Sequence, residues 1–235
     1  MTKLGIIGAM AVEVELLKEK MENLTVRNHA GMEFYDGVLE GMPAVVVQCG
    51  VGKVNAAMCA QVLCSVYGVT HLVNTGIAGS LCAELDIADL VVSKDAMYHD
   101  VDVTVFGYPQ GKVPGMDVVA FPADETLMGY AFEAANAVNP GHAKIGRVAS
   151  GDQFVCGKDQ KDKIIAVTQA LCTEMEGAAI AQTAYRNGIP FVILRAISDK
   201  ADNSAEMDYP TFEAMAAEHC AKVTLTMAQR IKNAQ

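Results

Sequence analysis

Apolar residues run along this chain in short dense blocks, separated by longer stretches where they recur every three or four positions. The blocks at 4–7, 44–48, 71–75, 89–93, 144–150 and 191–197 are β-branched and apolar, and they predict strands. The stretches at 12–23, 55–67, 124–137, 158–169, 176–186 and 209–232 carry helical spacing. Asn187-Gly188 is a good C-terminal stop for the fifth helix, and Pro190 then opens a strand. Strands alternating with helices predict an α/β fold, with one sheet layered between helices. Residues 96–121, rich in Gly, Pro and aromatics, read as a long loop of the kind that serves as a lid or an interface.

The 235 residues fit a single domain over 1–235, and 51% hydrophobic residues supply a large core. No apolar run is long enough to span a membrane, and the N-terminus lacks a secretory pattern, so a cytoplasmic location is expected. The net charge of −10 argues against nucleic acid and anionic membranes as partners. The seven cysteines form no CxxC pair and mostly sit in apolar stretches, which reads as buried, reduced thiols. The five histidines show no metal-ligand spacing, so neither a metal nor another cofactor is expected.

In layered α/β sheets, ligands gather at the carboxyl ends of the strands. Here those ends carry Gly8-Ala9-Met10 through Glu13, Thr75-Gly76-Ile77-Ala78-Gly79, Ser150-Gly151-Asp152-Gln153-Phe154 and Ser198-Asp199. Ser198 and Asp199 have two readings. They can cap a turn, or Asp199 can be a carboxyl whose burial keeps it protonated and able to act as an acid. Arg195, set in an apolar strand, needs a partner, either a pocket carboxylate or a water. Glu174 and Glu176 open a predicted helix, where two residues diverge by ~200°, so only one is expected to face the pocket. A carboxylate there suits the paired hydroxyls of a ribose. Glu13 either decorates the first turn of a helix or serves as a base that takes a proton from water. Phe154 is a core residue or a platform for a base. Gly50-Val51-Gly52-Lys53 lacks the spacing of a phosphate-binding P-loop, and its glycines read as a tight turn.

Taken together these motifs, with Tyr98-His99-Asp100 through Thr104 and Phe106-Gly107-Tyr108, resemble the bacterial 5′-methylthioadenosine/S-adenosylhomocysteine nucleosidases of the nucleoside phosphorylase superfamily. The similarity runs essentially end to end. It implies a three-layer αβα sandwich around a mixed sheet, assembled as a homodimer. It further implies that Asp199 is the general acid at adenine N7, oriented by Ser198, and that Glu13 activates water beside Arg195. By the same resemblance Glu176 binds the ribose hydroxyls, Phe154 stacks on adenine, and the backbone of Val155 pairs with the adenine edge. Met10, Val51, Met175 and Tyr209 would line the sugar and alkylthio pocket. Val103, Phe106 and Pro114 would reach in from the partner subunit. Many relatives have Ser where this chain has Ile77, so any contact made by that hydroxyl is here absent or supplied by backbone. The sister activity, phosphorolysis, needs basic residues for phosphate, and the first strand end offers Met10-Ala11-Val12-Glu13 instead. A non-catalytic sensor of adenosine thioethers is the other alternative, disfavoured by the presence of every proposed carboxylate.

Overall fold

A computed structural model of the protein describes residues 2–202 and 205–235. Strand β1 (Leu4–Gly8) leads into α1 (Ala11–Glu19), and a meander of β2 (Met21–His29), β3 (Met32–Leu39) and β4 (Met42–Gln48) follows. Next come α2 (Lys53–Ser65), β5 (His71–Ser80), β6 (Leu90–Tyr98), a single 3-10 turn at Thr104–Phe106, and β7 (Phe121–Pro122). The remainder is α3 (Glu125–Val138), β8 (Ala143–Ser150), α4 (Lys158–Thr168), β9 (Cys172–Glu174), α5 (Gly177–Asn187), β10 (Phe191–Asp199) and α6 (Ala205–Asn233).

Alternation along the strands feeds two cores, one on each face of the sheet. Ile7, Val45 and Val47 point toward α2 and α5, packing with Cys59, Leu63, Ala178 and Ile180. Their neighbours Ile6, Ala44 and Val46 point the other way, toward α1, α3 and α6, and pack with Leu17, Leu127, Ala131 and Ala221. The expected layering of helix, mixed sheet and helix is therefore what the chain adopts. The sheet order is β10-β6-β8-β9-β5-β1-β4-β3-β2, with β7 beside β6. Because β10 also pairs with β5, the strands β5, β9, β8, β6 and β10 close into a ring, a feature the sequence pattern did not announce.

Several predicted boundaries need correction. The first helix, expected over 12–23, stops at Glu19, and β2 begins two residues later. That strand is exposed along nearly its whole length, so it has no apolar face to betray it. Two-residue turns join β2 to β3 and β3 to β4, with Ala30-Gly31 and Glu40-Gly41 all at positive φ. This is the type I′ pattern, but the sequences are not the Asn-Gly or Asp-Gly that usually signals it. The expected loop at 96–121 is shorter than thought, because β6 runs on to Tyr98 and β7 starts at Phe121. Residues 173–177 do not open a helix together: Glu174 ends β9, and α5 starts at Gly177. The last helix begins at Ala205, before the predicted 209, and carries Pro210 within it.

Strands β4, β1, β5 and β10 lie side by side and parallel, so their carboxyl ends share one edge. The register sets Arg195 beside Gly76 and Asp199 beside Gly79. No described helix is long and apolar enough to cross a membrane.

Candidate active site

At that edge lies a cavity of about 460 Å³. Glu13, Ile77, Ser198 and Asp199 line it, as do Met10, Val51, Phe154, Val155, Met175, Glu176 and Tyr209. Eleven of the sequence-predicted residues thus meet in one place. Arg195 is 2% exposed and sits behind this wall. Val103, Phe106 and Pro114 lie outside the chain's own cavity, and Phe106 is 78% exposed. Ala9, Ala78, Gly79, Gln153, Thr173 and Glu174 line it as well, from within the segments the sequence brought together, and sequence reasoning missed Pro210.

Glu13 is the third residue of α1, where the helix dipole and free amides favour a carboxylate. Its Oε2 accepts from the N–H groups of Ala9 (2.6 Å) and Met10 (3.0 Å), and its Oε1 accepts from Ile77 N–H (3.0 Å). Position 77 therefore holds the Glu13 carboxyl through its backbone, while its side chain adds apolar wall. Burial pushes the Glu13 carboxyl up, and the charge of Arg195 and the three amides pull it back. Gly76 must be glycine, since an added Cβ would stand 2.3 Å from Glu13 Oε1.

Asp199 ends β10 and is 3% exposed. Ser198 Oγ donates to its Oδ2 (2.9 Å), and Ala201 N–H donates to its Oδ1 (2.7 Å). It caps a turn, as the first reading had it, and it also lines the cavity. Burial pushes its carboxyl up; those two donors oppose this, and Asp208 and Asp202 reinforce it.

Arg195 lies near Glu13, close enough for its charge to act on that carboxyl, but finds its ion-pair partner in Glu174. The two form a buried ion pair, and the same guanidinium nitrogen donates to Asn74 Oδ1 (2.5 Å). Burial works against the charge on Arg195, yet Glu174, Glu13 and Glu176 together hold its proton more firmly than usual. Glu174 also accepts from Ser150 Oγ and from the N–H groups of Glu176 (3.0 Å) and Gly177 (2.7 Å), capping α5. The expectation that only one of Glu174 and Glu176 faces the pocket rested on a helix that is not there. Both line the cavity, one as counter-ion and cap, the other offering its carboxyl. Glu176 Oε1 accepts from Gly52 N–H (2.8 Å), and burial together with the charge of Glu174 pushes this carboxyl up to about 8.

The opposite wall is apolar. Tyr209 Oη donates to Met10 Sδ (3.2 Å), and its ring meets that of Phe154 edge to face at 5.5 Å. The half-exposed Phe154 can take a flat aromatic ligand on its free face. A deep apolar slot with two raised carboxyls at its end and a third beside a helix terminus suits acid–base cleavage of a glycosidic bond.

This fold and site define a member of the phosphorylase superfamily, whose sequence signature matches residues 3–229. The chain is similar to nucleosidases of that group. The 5′-methylthioadenosine/S-adenosylhomocysteine nucleosidase of Halalkalibacterium halodurans is 42% identical over 232 residues, covering 98% of this chain and all of that one. The Neisseria meningitidis nucleosidase of the same name, solved with methylthio-immucillin-A, superposes with a TM-score of 0.95 at 36% identity, over 98% of this chain and 100% of that chain. A futalosine hydrolase from Helicobacter pylori also shares the fold, with a TM-score of 0.92 and 33% identity over 97% of this chain and 98% of that one. The chain belongs to the 5′-methylthioadenosine/S-adenosylhomocysteine nucleosidase family.

Proposed function

We propose that this enzyme hydrolyses the N-glycosidic bond of 5′-methylthioadenosine, S-adenosylhomocysteine and related 5′-substituted adenosines, with Asp199 as acid and Glu13 as base. The observation that carries this assignment is that both carboxyls, each raised by burial, line one cavity, Glu13 from the first turn of α1 and Asp199 from the end of β10. Adenine lies on Phe154 and pairs with the backbone of Val155. Asp199 gives its proton to N7, so that the C1′–N9 bond breaks with its electron pair leaving on a neutral base. Positive charge develops on the sugar, and the nearby carboxylates stabilise it. Water attacks C1′ and loses a proton to Glu13. Glu176 accepts the ribose hydroxyls, and Met10, Val51, Met175 and Tyr209 surround the 5′ end.

Water, not phosphate, is the nucleophile in this reading. Among the described residues, no Lys or Arg lines the cavity, and Arg195 is engaged by Glu174. A phosphate ~4 Å from an ionised Glu13 would be opposed by roughly 4 kcal/mol per unit charge at an effective dielectric of ~20. Adenine release from 5′-methylthioadenosine in phosphate-free buffer, with free 5-methylthioribose as co-product, is the expected result. A strict phosphate requirement with a sugar 1-phosphate product would establish phosphorolysis instead.

The assembly belongs to the same proposal. Val105 and Phe106, 85% and 78% exposed, form an apolar tip that a second copy of the chain would cover. In the homodimer, Val103, Phe106 and Pro114 of each protomer close the 5′ end of the other's cavity. The enzyme is proposed to act as a single domain in the cytoplasm, without metal or cofactor.

A further inference from the structure

Lysine is an unfavourable first residue for a helix, because its charge faces the positive end of the dipole. Lys53 nevertheless opens α2, whose first turn holds no acidic residue of its own. The compensation comes from far along the chain. Lys53 Nζ donates to Asp100 Oδ2 (2.6 Å), and Lys53 N–H donates to Asp152 Oδ1 (2.9 Å). Asp152 N–H in turn donates to the same Asp100 Oδ2 (2.9 Å), and Lys53 Nζ lies 3.7 Å from Asp152 Oδ2. The ammonium also stands 5.5 Å from the centre of the Tyr98 ring. Lys53 and Asp100 are three-quarters buried or more, which makes these contacts stronger than surface pairs.

One residue upstream, Gly52 adopts φ +98 and donates its N–H to Glu176 Oε1. An added Cβ there would lie 3.1 Å from Asp152 Oδ1, so the turn closes only around glycine. Two carboxylates from separate segments thus share the first two amides of α2, Glu176 on Gly52 and Asp152 on Lys53. We infer that Lys53, Asp100 and Asp152 form a positioning network that fixes the Gly52 amide, and through it Glu176, for the ribose hydroxyls. The inference rests on the nucleosidase reading above and adds three residues that touch no substrate. It also explains the Gly50-Val51-Gly52-Lys53 turn, which binds no phosphate. Its product is an oriented N–H aimed at a carboxylate.

The network acts on the sugar end and not on the base, and the test exploits that split. Lys53→Met should raise KM for 5′-methylthioadenosine by ~10-fold or more, the size of a lost charge-assisted hydrogen bond, with kcat within about threefold. The inhibition constant of free adenine should stay within about twofold, since adenine does not reach Glu176. Lys53→Arg should recover most of the KM. Should Lys53→Met fail to fold, Asp100→Asn is expected to show the same split. A parent enzyme that releases no adenine overturns the reading of the reaction and this inference with it. A parent that turns over normally, beside variants whose KM stays within about twofold or whose adenine affinity falls as far as KM rises, overturns the inference alone.

Discussion

In the proposed reaction Glu13 and Asp199 have opposite duties, and burial raises both carboxyls. Catalysis needs Asp199 protonated, so kcat/KM should fall as pH rises through its pKa. It needs Glu13 ionised, so the rate should also fall as pH drops through that group's pKa. Asp199→Asn should lower kcat by ~10² or more and abolish the alkaline limb, read from adenine release across a pH series. Glu13→Gln should cost a similar factor while calorimetry still detects nucleoside binding. Near-parental rates in either variant would remove that residue from the mechanism. Glu176 offers a stability test with its own sign. Its folded carboxyl is pushed up to about 8 from the usual 4.5, so the folded state holds a proton that the unfolded chain releases. Unfolding free energy should therefore decline as pH rises through that window, and Glu176→Gln should flatten the decline in urea titrations. Glu13 and Asp199 were legible in the sequence because polar residues stood abruptly at the ends of apolar strands. The division of labour between Glu174 and Glu176 was not legible. It depends on β9 ending at Glu174, and a three-residue strand leaves too short a pattern to read.

Among the secondary elements, the central strands and most helices were readable, since each has an apolar face or is wholly buried. The hairpin of β2 and β3 was not. Its first strand is solvated on both sides, and its turns place Ala30 and Glu40 at φ 53 and 51 without the residues that prefer that region. Non-glycine residues pay for the left-handed conformation, with Asn the usual exception. Ala30→Asn should therefore stabilise the protein by roughly 0.5–1 kcal/mol, measured by denaturant midpoint at constant slope. A destabilised variant would mean that the turn does not follow the described backbone. The beginning of α6 shows a related lesson. Proline favours a helix's first turn, which argues for a start near Tyr209, yet the helix runs through Pro210 from Ala205. That extra turn, of about four residues, precedes Tyr209, which meets Met10 and Phe154, so an error of a few residues in the sequence reading falls on the wall of the cavity.

For the molecule as a whole, the exposed Phe106 is the natural point of attack on the proposed homodimer. Phe106→Asp should shift the protein toward a monomer in light scattering and raise KM most for substrates with apolar 5′ groups. A variant that stays dimeric with unchanged KM would place the interface elsewhere. The layered architecture was legible from the alternation of strands and helices, whereas ring closure was not, because nothing in a strand's own sequence says that it has two partners. That closure has a kinetic meaning. Strand β10 is hydrogen-bonded on both sides, to β5 and to β6, while β2 lies at the end of the sheet with β3 as its single neighbour. Amide deuterium uptake should accordingly be faster along β2 than along β10. The strand that carries Asp199 is held from both sides over its middle, so heating should erode the meander's rim well before it disturbs the proposed proton donor.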